Sequence, residues 1–211
     1  MSGKLKRFVG NNPTLFRIVV IVNKLRNVLF PIRGRNNKLS VKGRVIGLKK
    51  MIIGNIRIRG NYNHLTIEEG CNIGKGCSFW LEGNNNCIII GKRTTMTMRC
   101  HFNAQEHDTK ITVGEDCMFS NTIIVCTSDS HPIYNEEGVR INNPKDVVIG
   151  DHVWIAPNSV IMKGAVIESG CIVGSHSMIN KNIPANSCVV GMPGKVVKEG
   201  VTWTRENVLE C

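Results

Sequence analysis

Residues 149–183 read IGDHVW-IAPNSV-IMKGAV-IESGCI-VGSHSM-INKNI when they are divided into blocks of six. A branched aliphatic residue opens every block, from Ile149 to Ile179, and the fifth place is mostly a small residue. A short fixed period is typical of a solenoid, because each turn buries its apolar face only by stacking on the next turn. The i, i+3, i+4, i+7 spacing of a helix is absent, and Gly150 and Gly174 would weaken one. We therefore predict a β-solenoid.

The same period extends towards the N-terminus with interruptions. Six-residue steps lead from Ile67 to Phe79 and from Val113 to Val125, and the two runs differ in phase. The Gly-Asn-Asn-Asn cluster at 83–86 predicts a short loop that bulges from a corner of the solenoid. We predict three segments along an all-β chain: a basic helical or capping segment at 1–40, the solenoid domain at 41–198 and a C-terminal tail at 199–211.

The longest interruption, residues 126–146, contains two prolines and no hexad, so we predict a loop that protrudes from the solenoid. Loops longer than about 12–15 residues in a compact domain are usually functional or disordered. This loop begins with Thr-Ser-Asp-Ser-His-Pro at 127–132. Because hydroxyl, carboxylate and imidazole groups occur together in this loop, we expect functional residues there.

The net charge of +11 is unevenly distributed. Residues 1–60 contain 15 Lys and Arg and no Asp or Glu, whereas the remainder has more acidic than basic residues. Apolar residues at helical spacing from Leu15 to Leu29 predict a basic amphipathic helix, which caps the solenoid, lies on an anionic membrane surface, or does both. The apolar run at 15–22 contains Arg17 and is too short to span a bilayer, and no signal-peptide cleavage site follows. Sparse aromatics and the lack of a recognition motif argue against nucleic acid as a partner.

The cysteines have a packing explanation. Of nine, five occupy the small fifth place of a hexad, where a thiol packs as a compact apolar side chain: Cys71, Cys77, Cys100, Cys117 and Cys171. The sequence contains no CxxC pair. We therefore predict reduced thiols and a cytoplasmic protein, with Cys211 as a candidate free surface thiol.

Three motifs, in order, resemble those of the hexapeptide-repeat acyltransferases: His-Pro at 131–132, Ile-Gly-Asp-His-Val-Trp at 149–154 and Gly-Met-Pro-Gly-Lys at 191–195. The resemblance covers residues 113–198 and is strongest to the sugar O-acetyltransferases. It implies a left-handed parallel β-helix with three hexads per coil and a homotrimer with active sites between subunits. It also implies acetyl transfer from acetyl-CoA to a hydroxyl of a sugar or polysaccharide precursor, in surface polysaccharide synthesis.

His131 aligns with the catalytic histidine of that family. The resemblance implies a general base, since a neutral imidazole can take the proton of a sugar hydroxyl as that oxygen attacks the thioester carbonyl. The alternative is an exposed loop histidine without a catalytic role. Asp129 either orients His131, as carboxylates do in catalytic triads, or caps a turn of the loop.

The resemblance places Trp154 in the wall of the substrate pocket, beside the catalytic histidine and the pantetheine arm. The alternative for Trp154 is packing at a corner of the solenoid. We assign Arg99 and Asn121 to the same pocket. Residues 97–105 depart from the acceptor-binding residues of the disaccharide acetyltransferases, and Arg99 would suit an anionic sugar.

The coenzyme A contacts of the family carry over onto small residues along the coils and onto basic residues that would meet the phosphates. They are Ala156, Pro157, Gly174, Ser175, Asn180, Lys181, Pro193, Lys195 and Lys198. Each lysine taken alone is more often a solvated surface residue.

Three other functions are compatible with a hexad solenoid. The first is N-acetylation of a nucleotide-linked amino sugar, although residues 1–60 do not resemble a nucleotide-binding region. The second is a zinc hydrolyase, which needs three converging imidazoles. No pair among the six histidines has the spacing of that family, so we expect no metal. The third is a non-catalytic scaffold, which would leave the His-Pro loop and the Lys tail unexplained.

Overall fold

The computed structural model of this chain describes residues 32–45 and 56–206, together with Thr14, Ile18 and Ile21. These three isolated residues are helical and exposed. The other positions of the predicted N-terminal helix, and Cys211, lie outside the described residues. Within the described part of the chain, no helix is long and apolar enough to cross a lipid bilayer.

The described strands form three sheets: up to the last strand each sheet takes every third strand of the chain, and the last strand is added to the third sheet. Sheet A contains β1 (Ile32–Arg33), β4 (Ile56–Arg59), β7 (Ser78–Asn84), β10 (His101–His107), β13 (Ile124–Cys126), β16 (Val160–Ile161) and β19 (Met178–Ile179). Sheet B contains β2 (Lys38–Val41), β5 (His64–Ile67), β8 (Cys87–Ile90), β11 (Lys110–Val113), β14 (Val147–Ile149), β17 (Val166–Ile167) and β20 (Asn182–Ile183). Sheet C contains β3 (Arg44–Val45), β6 (Asn72–Lys75), β9 (Thr95–Met98), β12 (Met118–Asn121), β15 (Trp154–Ile155), β18 (Ile172–Val173), β21 (Ser187–Val190) and β22 (Lys195–Glu199).

Within the described sheets, neighbouring strands are parallel except that β22 runs antiparallel to β21 at the end of sheet C. The chain visits sheets A, B and C in turn, so each coil is a triangle with one side in each sheet. We name the corners AB, BC and CA after the sheets they connect. Among the described strands, β1 and β2 already pair with β4 and β5, and β2 spans the expected boundary at 40/41.

The coils have two sizes. In residues 56–126, the wide coils, paired residues are 23 positions apart, as for Phe79 and Phe102. In residues 147–190, the narrow coils, they are 18 apart, as for Ile155 and Val173, and 16 apart at the last turn. The prediction of a loop at 83–86 is wrong in part, because Gly83 and Asn84 belong to strand β7.

Buried amides fill the AB corner of the wide coils. The Oδ1 atom of Asn63 accepts from the backbone N–H of Asn86 at 3.0 Å, and the Oδ1 of Asn86 accepts from the N–H of Thr109 at 3.0 Å. The Oγ1 of Thr109 lies 3.1 Å from that of Thr127, the first residue after β13. These four residues are at most 3% exposed, so the ladder satisfies polar groups that would otherwise be buried without partners.

The residues that open the hexads are buried in the core, and their column along sheet A changes size with the coils. Phe79 and Phe102 stack with ring centroids 5.4 Å apart, and the same column continues as Val125, Ile161 and Ile179. The five cysteines at the small place are buried, as predicted: Cys71, Cys77, Cys100, Cys117 and Cys171. Burial raises the pKa of the Cys117 thiol to about 12, so this side chain packs in its neutral form.

Candidate active site

The predicted loop leaves the AB corner after Cys126 and returns at Val147, where the coils change from wide to narrow. Arg140 in the loop donates two hydrogen bonds to the carboxylate of Glu106 in β10, at 2.7 and 2.8 Å. The Arg140 guanidinium is the main cause that holds the pKa of Glu106 below its usual value. The Oγ of Ser128 donates to the same carboxylate at 2.5 Å. A bidentate ion pair fixes both position and orientation, so the loop is tied to the wide coils.

A second set of contacts ties the loop to the narrow coils. The ammonium of Lys163 donates to Asp129 at 2.5 Å and to the carbonyl of Asn142 at 2.9 Å. The Lys163 ammonium is also the main cause that lowers the pKa of Asp129. Because Lys163 follows β16, the Asp129–Lys163 pair closes the loop against the next coil of the corner.

Asn142 connects Asp129 to the backbone of His131. Its side-chain amide is 8% exposed and donates to the Asp129 carboxylate at 2.9 Å and to the His131 carbonyl at 2.8 Å. The Oδ1 of Asn142 accepts from the N–H of Ile133 at 2.7 Å. Asp129 therefore reaches His131 through Asn142 and its main chain, and none of the described hydrogen bonds of Asp129 goes to the imidazole. The turn itself is capped by Ser128, whose Oγ accepts from the N–H of Ser130 at 2.8 Å.

The side chain of His131 is exposed and borders a cleft of about 380 Å³. Ser130, directly before it, has a positive φ of 65° and donates from its Oγ to the Gln105 side chain at 2.8 Å. The other cleft residues come from the ends of β7 and β10. The lining is Glu82, Gly83, Gln105, Glu106, His107, Ser130 and His131.

His107 brings a second imidazole to this cleft. Its Nδ1 accepts a hydrogen bond from the backbone N–H of Asn84 at 3.1 Å. The neutral ring must therefore carry its proton on Nε2, which leaves that atom as a hydrogen-bond donor. The sequence predicted none of Glu82, Glu106 and His107 as site residues, because they meet His131 only through stacking of coils.

Trp154 lies in β15 of sheet C, whereas the loop that carries His131 connects sheet A to sheet B. Its indole Nε1 donates to the Oγ of Ser120 at 3.5 Å, and its ring centroid is 6.2 Å from that of Trp203. No hydrogen bond or ring contact among the described residues joins Trp154 to His131 within one chain.

Arg99 and Asn121 lie at the CA corner. Arg99 is exposed, has a positive φ of 52° and directly follows β9. Asn121 ends β12, and its carbonyl accepts from the N–H of Asn158 at 3.0 Å. Within one chain, sheet A therefore separates these two residues from the cleft beside His131.

The residues expected to bind coenzyme A fall into three places. Four lie at or near the CA corner: Ala156, Pro157, Gly174 and Ser175. Asn180 and Lys181 lie at the AB corner, one coil after Lys163, and Pro193, Lys195 and Lys198 lie in or just before β22. Small size matters at Gly174, where an added Cβ would lie 2.6 Å from the Val190 side chain. All three lysines are exposed.

The C-terminal tail crosses sheet C and packs beside Trp154. Trp203 stacks on His152 with centroids 4.2 Å apart, and its indole Nε1 donates to the His152 carbonyl at 2.8 Å. The Asp116 carboxylate accepts from the His152 Nδ1 at 2.8 Å and from Arg205 at 2.9 Å. No pattern in the sequence predicts these contacts, since the tail reaches residues up to 112 positions away. Among the described residues, no three His, Cys, Asp or Glu side chains come together as a metal site.

Similar proteins identify the family. A family model described as bacterial transferase hexapeptide (six repeats) matches residues 146–181. The polysialic acid O-acetyltransferase of Neisseria meningitidis is 37% identical over 177 residues, which are 82% of this chain and 78% of that protein. The polysialic acid O-acetyltransferase of Escherichia coli O1:K1 / APEC is 32% identical over 124 residues, which are 58% of this chain but 40% of that longer protein.

The solved structure of the polySia-specific acetyltransferase NeuO has a TM-score of 0.70 at 25% identity, over 85% of this chain and 89% of that one. With the three parallel sheets, these findings confirm the predicted all-β fold as a left-handed parallel β-helix. Identity of 37% over most of both chains is well beyond a likeness of fold alone. This chain belongs to the hexapeptide-repeat family of O-acetyltransferases that also includes the enzyme of N. meningitidis.

Proposed function

We propose that this protein transfers an acetyl group from acetyl-CoA to a hydroxyl of an acidic surface polysaccharide. The family supports the reaction, and the two relatives named for polysialic acid support a sialic acid polymer as the acceptor. The observation that carries the proposal is the position of His131, on a loop fixed by two ion pairs and at the edge of a cleft.

In the proposed reaction, a ring nitrogen of His131 takes the proton of the acceptor hydroxyl as the oxygen attacks the thioester carbonyl carbon. The tetrahedral intermediate then collapses, the C–S bond breaks, and the proton passes from the imidazolium to the leaving thiolate. The products are an acetyl ester and free coenzyme A. Asp129 acts in this scheme as a positioning residue, because it holds Asn142, which in turn holds the backbone of His131 and Ile133.

We also propose that the active site is completed by a second subunit of a homotrimer. One chain keeps Trp154 and the CA corner apart from His131, whereas a groove between two chains can bring them together. Acetyl-CoA would lie in this groove, along the small residues at Ala156 and Gly174, with Lys181, Lys195 and Lys198 near its phosphates. Trp154, Arg99 and Asn121 would contribute to the pocket from the neighbouring subunit.

Two further proposals concern where in the cell the protein acts. Acetyl-CoA as donor and five cysteines packed as thiols support a cytoplasmic reaction. The basic segment 1–40 is proposed to cap the solenoid, to contact an anionic membrane surface where growing polysaccharide chains would be within reach, or to do both.

The test is an acceptor screen with acetyl-CoA that measures release of free thiol, carried out with the His131→Ala and His64→Ala variants. His64 is a matched control because it lies on sheet B, away from the cleft. We expect His131→Ala to lose about 100-fold or more in kcat while still binding acetyl-CoA, and His64→Ala to keep full activity.

Full turnover by His131→Ala would remove this residue from the mechanism. The chemistry of the product separates the two acetylation reactions, since an O-acetyl ester is cleaved by mild alkali whereas an N-acetyl amide is not. An alkali-stable product would favour transfer to an amino sugar instead.

A further inference from the structure

The outer face of sheet A carries a basic and aromatic surface next to the cleft. In β4 and β7 the side chains alternate, so that Ile56, Ile58, Phe79 and Leu81 point into the core. The side chains between them therefore point outwards on one face: Arg57, Arg59, Trp80 and Glu82. Arg33 continues this face in β1, where it pairs in register with Arg59.

Arg57 and Trp80 form a close pair on this face. They are register neighbours on adjacent coils, and the guanidinium carbon of Arg57 lies 4.3 Å from the centroid of the Trp80 ring. A guanidinium over an indole is attracted by the negative face of the ring, and both groups are also common contacts for sugars and carboxylates.

Two polar groups of this pair lack, within the described part of the chain, the partners that such groups normally have. The indole Nε1 of Trp80 is buried and has no hydrogen-bond partner among the described residues. Arg57 makes no ion pair with a carboxylate in the part of the chain that the structure describes, whereas its neighbour Arg59 pairs with Glu82 at 3.2 Å. Partial burial and the charge of Arg59 lower the pKa of Arg57, and the opposite charge of Glu82 offsets them only in part. A bound anion would supply the missing counter-charge.

The pair lies close to the proposed reaction centre. Trp80 and Glu82 are two residues apart on the same strand face, a separation of roughly 7 Å, and Glu82 lines the cleft beside His131. Arg57 lies one coil further, at a strand spacing of about 4.8 Å. These distances are comparable to the length of one or two sugar units.

We propose that Arg57 and Trp80 form a subsite for a carboxylated sugar of the acceptor chain, one or two units from the sugar that reacts at His131. This inference rests on the proposed function. Arg57 would turn from the indole to bind the carboxylate through two N–H groups, and the uncovered face of Trp80 would stack on the sugar ring. This movement would also have to uncover the indole N–H for it to donate to a sugar hydroxyl. The subsite makes the enzyme favour long acidic acceptors over single sugars.

Binding without turnover tests the subsite. In the His131→Ala background, we expect Arg57→Gln and Trp80→Ala each to raise the Kd for a sialic acid oligomer by about tenfold. Arg44→Gln is the matched control, because it removes the same charge from sheet C and should leave the Kd unchanged. Trp80→Phe keeps an aromatic surface and should bind better than Trp80→Ala.

Turnover separates this inference from the proposed function. With His131 intact, we expect Arg57→Gln to lower kcat/KM for long sialic acid oligomers about tenfold and to leave kcat/KM for a single sialic acid unchanged. Unchanged Kd and kcat/KM for long oligomers in Arg57→Gln, while His131→Ala is inactive, would overturn the subsite alone. Loss of trimers in Trp80→Ala without a change in oligomer binding would also overturn it, since Trp80 would then be a contact between subunits.

Discussion

The wide coils and the narrow coils are built from the same hexad-like turns but differ in strand length and in how their interior is filled. The narrow coils have strands of two to four residues and branched aliphatic side chains in the core, and they repeat almost without interruption. The wide coils have strands of up to seven residues, stacked Phe side chains and a ladder of buried amides at the AB corner. Five extra residues per coil, 23 against 18, enlarge the triangle, so larger side chains and internal hydrogen bonds are needed to fill it.

The extra residues also create the surface on which the site is built. Strands β7 and β10 extend beyond the length of a strand in the narrow coils. These extensions carry Glu82, Gln105, Glu106 and His107. The loop that carries His131 then bridges the two kinds of coil, with Glu106 on one side and Lys163 on the other. Regular coils thus supply the scaffold, and the departure from regularity supplies the cleft.

The largest expected effect concerns the aromatic column of the wide coils. Phe102→Ala should lower the free energy of unfolding by about 3–5 kcal/mol, because it leaves a cavity between Phe79 and Phe119. Ile161→Val in the same column of the narrow coils should cost about 1 kcal/mol. Chemical denaturation of both variants measures the difference. Equal losses would mean that the aromatic column of the wide coils is loosely packed.

A smaller effect is expected from the amide ladder. Asn86→Ala removes the acceptor for the N–H and the Oγ1 of Thr109 and should cost about 1–3 kcal/mol. Ser159→Ala in the narrow coils is the comparison, since it removes a buried hydroxyl that only donates, to the carbonyls of Ala156 and Gly174. We expect it to cost about 1 kcal/mol. Thermal unfolding would contradict this order if Ser159→Ala were the less stable variant.

The smallest effect concerns the ion pairs that hold the loop between the coils. The folded state lowers the pKa of Glu106 and Asp129, so both carboxylates stabilise the protein above their ordinary pKa values of 4.5 and 3.8. This contribution is lost as the pH falls through the lower, folded values. The midpoint of thermal unfolding of the wild type should therefore exceed that of Glu106→Gln at pH about 7, and the difference should shrink below pH about 4. A difference that stays constant over this range would contradict the role of the Glu106–Arg140 pair.

Much of the fold could be predicted from the hexads, because one coil repeats the same pattern of buried and exposed positions. The core residues from Ile149 to Ile179 and the packing of five cysteines follow directly from that period. The wide coils were harder to predict, since Gly83 and Asn84 resemble a loop when read locally and become a strand only beside their neighbours on adjacent coils.

The site was predicted only in part. The loop and His131 are visible in the sequence because the loop breaks the period and carries the His-Pro motif, and their role stays a prediction. The contacts of Asp129 were not foreseen, since its partners Asn142 and Lys163 lie 13 and 34 positions away. Trp203 and His152 meet across 51 positions without any local pattern.

By itself, the sequence determined the period of the coils, the place where the period breaks and the imidazole carried there. The tertiary structure alone decided the width of each coil, the partners of the loop and the side chains that share the cleft with His131. The physical reason is that a hexad records which side chains are buried within one turn. Contacts between turns depend on the register of the paired strands. The register can be derived from the sequence only when the length of every coil is known.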